Sequence, residues 1–498
     1  MIGAVYVAQC IVDGNYFTIL LIIILVAGLF YILGLYRYTW QIALLLDGLG
    51  FIYAPLGFKV SATEISIILV VALLVMTWWR KDLSLNKRLR GQVEVFFTLY
   101  IILTFLLYAA VHFYYFWKNP VNAADYSFSN SLKQTSQICA PLCIIVFVFL
   151  KPRIFKWKNI GKTLVNITII YLIIDIAIRC YSLFIGGPGV VVNGDDAMLF
   201  IPGINLLENV YVLRYVAPFV VLLGALLLFE RERSARCPVS RIKLSLLIFL
   251  GFIGGTLSGG RAVIIACVLF FLIAAVIKKR ITLLVLTGFI VGGVISIVNI
   301  FPDLIFTKDM PEQVKRSVAL IVIDRNAFYN ARASIESSTN WRMTLFERAL
   351  DEWKSSSFVF WVGRDVYAYN YDDILEKSLK GGYEGSMESS LRRGATHNLI
   401  TDILLTYGLI GAILYYAILV WLILLLFFLI KRIPKDQGQR DIILVTLIML
   451  LYHIIYANVG GGFIPNGLAW LIALCVAMGN SWFVNYETKE SPSRELVR

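Results

Sequence analysis

Long apolar runs alternate with short basic connections along most of this chain. The runs fall at residues 16–36, 40–58, 63–79, 94–116, 137–150, 163–185, 209–229, 244–258, 261–277, 281–301, 409–430, 441–457 and 464–484. About 20 residues of helix span a hydrocarbon layer of ~30 Å, so these runs predict about twelve membrane helices. The second run is interrupted by Asp47, Gly48, Gly50 and Pro55. A broken or re-entrant segment fits it as well as a span does. The pattern predicts an all-α polytopic membrane protein. Its parts are membrane helices in 1–301, one large extracytoplasmic loop over 302–396, C-terminal helices in 397–484 and a tail at 485–498.

Lysine and arginine set the orientation. Residues 80–90, 151–162 and 231–243 each hold five, 278–280 three, 431–440 four and the tail three. If the intervening runs all span, these segments share one side, assigned to the cytoplasm. By the same parity 117–136, 186–208, 302–396 and 458–463 face outward. The N-terminus lacks the basic start and cleavage site of a signal peptide, so the first run is expected to remain.

Composition changes little in this picture. The chain is 59% hydrophobic and 15% charged, with a formal charge of +13. The insertion from Phe301 to Thr396 nevertheless holds thirteen Lys and Arg against fourteen Asp and Glu. The basic excess is therefore largely a topology signal, and nucleic acid is excluded as a partner. Seven cysteines, at 10, 139, 143, 180, 237, 267 and 475, lie mostly in or beside apolar runs. They form no readable disulfide framework or metal site, so they are expected to pack and no cofactor is expected. Inside the insertion Leu345, Phe346, Ala349, Leu350 and Trp353 recur at helical spacing after a cap at Asn340, with Arg342 at the start. That helix would lie on the membrane, roof a cavity or pack on its own loop. Gly381, Gly382 and Gly385 with Ser386, Ser389 and Ser390 predict a flexible segment.

Charge at the membrane is the candidate chemistry. Arg214 stands near the outward end of the run at 209–229, and Arg261 follows Ser258-Gly259-Gly260 at an outward hinge. A half-buried guanidinium needs an anion or water, and its planar fork suits phosphate oxygens. Snorkelling to the interface, or a tight helical hairpin at the hinge, would also account for them. His397 ends the insertion after Arg392 and Arg393, and a neutral imidazole there could take a proton from a hydroxyl. His112 and His453 lie inside apolar runs and read as packing residues. Asp175 and Arg179, four apart, would neutralise each other on one helix. Asp402 would orient the histidine region or merely cap it. Such an outward site, with cations and one base, suits transfer from a lipid pyrophosphate.

The run His397-Asn398, nine residues, Gly408-Leu409-Ile410-Gly411 resembles the signature of the bacterial O-antigen ligase and polymerase superfamily. Ser258-Gly259-Gly260-Arg261 resembles that family's small-residue and arginine hinge, although the commoner form is Ser-x-Ser-Arg. The resemblance covers most of residues 60–480. It implies the membrane glycosyltransferase type C class: a metal-independent inverting enzyme of the bacterial inner membrane, with its active site facing the periplasm. The donor would be an undecaprenyl-pyrophosphate-linked glycan, and the acceptor a glycan or lipid A core. A chain-length regulator is a candidate partner beside the lipid bilayer. His397 would activate the acceptor hydroxyl. Arg214 and Arg261 would hold the pyrophosphate, with Arg342, Arg393 and Asn398 as further substrate contacts. Polymerase, ligase and protein O-oligosaccharyltransferase share these features. A lipid-linked oligosaccharide flippase is the rival from another class, but it should show two related halves, and none is seen.

Overall fold

The computed structural model describes residues 52–55, 59–61, 91, 95, 99, 102, 157–180, 190–193, 196–201, 204–207, 210–230, 239–257, 261–300, 329–364, 382–392, 396–433 and 438–460, with helical positions between 471 and 483. The runs at 16–36, 63–79 and 137–150, nearly all of 94–116, and the hinge Ser258–Gly260 lie outside the described residues, as do Arg393, His112, Cys10, Cys139, Cys143 and Cys237.

Helices follow the apolar runs closely. They are α1 (Trp157–Cys180), α2 (Val210–Leu228), α3 (Arg241–Leu257), α4 (Arg261–Ile277) and α5 (Ile281–Ile300). The insertion contributes α6 (Tyr329–Trp353), α7 (Ser357–Val362) and α8 (Gly382–Arg392). The C-terminal part contributes α9 (Leu399–Arg432) and α10 (Gly438–Gly460). Two segments, Leu399–Arg432 and Gln439–Ala457, are long and apolar enough to cross a membrane, and Val216–Leu228 and Ala262–Ile277 are shorter apolar helices. These features are those of a helical membrane protein.

The chain divides into two compact units. The first comprises 1–83, 150–333 and 433–445. Within it α2, α3 and α4 form a close group. Gly251 and Gly255 of α3 lie against Ala217 of α2, and Gly224 of α2 lies against Leu244 and Ile248 of α3. This register makes α2 and α3 antiparallel. Gly255 also faces Val263 and Cys267 of α4, so Ala217, Val221, Val263 and Cys267 make one buried cluster.

Ion pairing ties three helix ends in this unit. Lys278, just after α4, pairs with Glu230 after α2 and donates to Asp441 of α10 at 2.8 and 2.9 Å. Arg280 donates to the Phe229 carbonyl from Nε and Nη2, both at 3.2 Å. Burial alone would lower the Lys278 pKa, but the Asp441 and Glu230 carboxylates outweigh it and raise it.

The same unit holds five short strands: β1 (Ile52–Pro55), β2 (Lys59–Ser61), β3 (Val190–Asn193), β4 (Asp196–Ile201) and β5 (Ile204–Leu207). They form one antiparallel sheet in the order β2-β1-β5-β4-β3. The expectation of an all-α chain therefore holds for the helices and not for residues 52–61 and 190–207. Valine-rich sequence favours strands, and Gly194-Asp195 and Pro202-Gly203 are turn-forming dipeptides between paired ends. The run at 40–58 is accordingly not a helix to its end.

The second unit comprises 84–149, 334–432 and 446–498. Its long helix α9 has 34 residues, about 50 Å at ~1.5 Å per residue, and is broken at Gly408. Leu399 and all of 401–408 are buried, whereas Ile413, Val420 and Leu424 beyond the break are exposed. The part after Gly408 suffices to cross a bilayer and presents the apolar surface that a bilayer would cover. Cys475 is fully buried 3.1 Å from the Thr446 hydroxyl, and His453 is fully buried in α10. Both are packing positions, as expected.

Candidate functional site

His397 sits one residue before the cap of α9. Asn398 is that cap: its Oδ1 accepts from the backbone N–H of Ile400 at 2.9 Å and of Thr401 at 3.4 Å. An asparagine there satisfies donors that a helix start otherwise leaves unpaired. Asp402, one turn on, is buried and reaches back past the cap. Its Oδ1 accepts from Thr396 N–H at 2.6 Å and from Thr396 Oγ1 at 2.7 Å. Thr401 Oγ1 meets Thr396 Oγ1 and donates to the Asn398 carbonyl at 3.1 Å.

Between these anchors His397 adopts φ +57°. A left-handed backbone costs a non-glycine residue about 1–2 kcal/mol. Hydrogen bonds to a charged group each contribute ~1.5–3 kcal/mol, so the Thr396–Asp402 pair is strong enough to hold it. The imidazole is half-buried and lies 5.4 Å from the ring of Trp341, inclined at 63°.

Trp341 belongs to α6. That helix starts at Tyr329, not at a cap on Asn340, so Arg342 lies well inside it and is exposed. Ala331 and Ile335, four apart, lie on one helix face upstream, and the Asn340 carbonyl is used within the helix, accepting from Thr344 Oγ1 at 3.0 Å. The amphipathic stripe is as expected, with Leu345 and Ala349 fully buried. Its C-terminal end packs on its own loop: Trp353 stacks on Phe360 at 4.6 Å and donates to the Phe360 carbonyl at 3.0 Å. The glycine- and serine-rich stretch expected to be flexible is helix α8 from Gly382 onward. Met387 and Ser390 are buried there, so tertiary packing overrides weak helix propensity.

Arg364, a cation of the polar insertion, is a buried strut. Its guanidinium pairs with Glu352 of α6 and donates to the Leu391 carbonyl of α8, while its backbone N–H donates to Leu405 of α9 at 2.7 Å. Beside it two backbones cross in contact. A Cβ on Gly408 would lie 2.4 Å from the Trp361 carbonyl carbon, and one on Gly363 2.5 Å from the Thr406 carbonyl oxygen. The signature glycine Gly408 is thus the place where α7 docks on α9. The signal for this crossing was the motif glycine itself, together with Gly363-Arg364 closing an aromatic run.

Arg214 occupies the first turns of α2, and Arg261 is the first residue of α4. Ala217, Gly255 and Val263 share one level of the three-helix group, so the two arginines stand at the same end within about one turn of each other. Asp175 is buried in α1, while the side chain of Arg179 lies outside the described residues.

Residues 245–416 match the family described as O-antigen ligase. The match supports membership of the O-antigen ligase and polymerase family. It runs from α3 into α9 and takes in Arg261, the described helices of the insertion, His397, Asn398 and Gly408. No curated protein matches the chain. The family supports an O-antigen ligase-type function. It suggests a glycosyltransferase-type enzyme that uses a lipid-linked glycan and an acceptor.

Proposed function

We propose that this O-antigen ligase family member transfers or polymerises an undecaprenyl-pyrophosphate-linked oligosaccharide on the outer face of the bacterial cytoplasmic membrane. The observation that carries the reading lies within the family match: a half-buried histidine held in a left-handed backbone at a capped helix start. In this reading neutral His397 takes the proton of the acceptor hydroxyl as its oxygen attacks the anomeric carbon. The bond from that carbon to the pyrophosphate breaks with inversion, and undecaprenyl pyrophosphate leaves. Arg214 and Arg261 meet the charge developing on the leaving group, with Arg342 and Arg393 as further cations and no metal in the step. Asn398 organises the helix start and is a further substrate contact in this reading.

Two features of the first unit support the membrane sidedness behind this scheme. Lys278 joins Glu230 and Asp441, which border three connections that charge bias assigns to the cytoplasm. The pairing of β1 with β5 joins residues 52–53 to 205–206, two segments that parity assigns outward.

The test is surface-glycan profiling of a strain lacking the protein, complemented with wild type or His397→Ala. Single repeats on the surface acceptor identify a polymerase, and long polymer stranded on the lipid carrier a ligase. Full rescue by His397→Ala refutes the assignment of the histidine. Repeats trapped on the cytoplasmic face make the chain a transporter, and loss of glycosylated protein alone points to a protein acceptor. Purified protein should retain activity on extracted lipid-linked glycan in EDTA, and abolition of turnover there would refute the metal-free step.

A further inference from the structure

We infer that Asp402 is a positioning residue for the transfer reaction, acting on His397 through Thr396 rather than by exchanging a proton with the imidazole. The inference rests on the reading of His397 as the base. Helix capping does not explain Asp402, because Asn398 already accepts from the first free N–H groups of α9. The Asp402 carboxylate instead reaches six residues back to Thr396, spanning the histidine. One oxygen takes both the N–H and the hydroxyl of Thr396, and the three buried side chains of Thr396, Thr401 and Asp402 close on one another. His397 is the single residue between the pinned Thr396 and the capping Asn398, and it is the residue with the left-handed backbone. Such strain persists where the surroundings over-determine it, and it is found at functional sites. With its main chain fixed on both sides, the imidazole keeps one direction of approach, beside Trp341.

A positioning role and a proton-relay role differ in what an amide at 402 does. The Oδ1 of an asparagine can accept both bonds from Thr396 without carrying charge, whereas alanine can accept neither. Initial rates would be measured for the full-length protein in detergent, using lipid-linked glycan extracted from the deletion strain as donor probe. Displacement of a base by about 1 Å can lower turnover roughly 100-fold. Asp402→Ala is therefore expected to lose between about tenfold and 100-fold in kcat, with donor KM within about twofold of wild type. Asp402→Asn should recover to within about threefold, and Thr396→Val, which keeps the N–H and loses the hydroxyl, should fall between. Asp402→Ala added to His397→Ala should cost nothing more. Wild-type kcat in Asp402→Ala beside an inactive His397→Ala overturns the inference alone, as does an Asp402→Asn as poor as the alanine. Full activity in His397→Ala overturns it together with the reading beneath it. Should Asp402→Ala fail to fold, Thr396→Val and Asp402→Asn carry the same test.

Discussion

Replacing Gly408 by alanine puts the crossing between the insertion and α9 under direct strain. Gly408 has φ +63° and ψ −168°, and Gly363 opposite has φ +90° and ψ −170°. This combination is accessible essentially to glycine alone, and forcing another residue into it costs about 1–3 kcal/mol. Space adds to the conformational cost. The new methyl would sit 2.4 Å from both the Trp361 carbonyl carbon and the Val362 nitrogen, backbone atoms that no rotamer change can move aside. Ordinary carbon contact is ~3.5–4 Å, so α7 must withdraw by about 1 Å and weaken the Arg364 N–H bond to Leu405. Together these amount to roughly 3–5 kcal/mol. Thermal unfolding in detergent should register a fall in Tm of about 3–5 °C. Gly363→Ala should behave alike, and the double variant should cost well under the sum, because either change opens the same crossing. Gly288→Ala is the control: no atom lies within 4 Å of its added Cβ, so stability should hold or rise by about 0.5–1 kcal/mol. A Gly408→Ala protein melting within about 1 °C of wild type, or a strictly additive double variant, would refute the docking.

Other residues yield equally specific expectations. Arg364→Met should cost about 2–4 kcal/mol by stranding Glu352 and the Leu391 carbonyl, and Arg364→Lys should not rescue it, since one ammonium lacks the planar fork joining two acceptors. Melting temperature and limited proteolysis of the insertion would read both. Lys278→Met should cost about 3 kcal/mol by leaving Glu230 and Asp441 unpaired. Because the Lys278 pKa is raised, its contribution is complete below the ordinary value of 10.5 and is lost as pH rises through the folded value. Wild-type Tm should therefore keep this contribution through neutral and mildly alkaline pH and lose it only in strong alkali; its loss near pH 8 would contradict this. Asn398→Ala should lose about 1 kcal/mol, and Asn398→Asp should keep the cap. Activity lost in Asn398→Asp at unchanged Tm would show a substrate contact in addition to the cap.

Hydrophobic periodicity made the helices legible, because a span needs a long uniform run and the chain supplies it. The runs at 209–229, 244–258, 261–277 and 281–301 differ from α2 to α5 by at most three residues at either end. The short strands are far below the length of a span, and the sheet is completed only by a pairing distant in sequence, that of β1 with β5. Helix α8 escaped for the opposite reason: its glycines and serines argue locally against a helix, and only burial of Met387 and Ser390 favours one. At the candidate site the motif gave His397, Asn398 and Gly408, and Gly363-Arg364 at the end of an aromatic run hinted at the crossing, while Trp341 and Thr396 carry no spacing that a pattern could reveal. Their relation to the motif exists only once α6 and α7 have docked on α9.

The sidedness of the chain is where sequence and structure constrain each other most tightly. Charge bias treats each connection separately, and one misjudged run would reverse everything beyond it. Contacts between connections are independent of that counting. Glu230 and Lys278 are separated by α3 and α4, a pair of runs, so their pairing requires an even number of crossings between them. The Lys278 pairing with Asp441 imposes the same parity on everything from α5 to α9, including the insertion. The proposed topology meets this requirement if α5 and α9 each cross once, and an inserted or deleted crossing between them would break it.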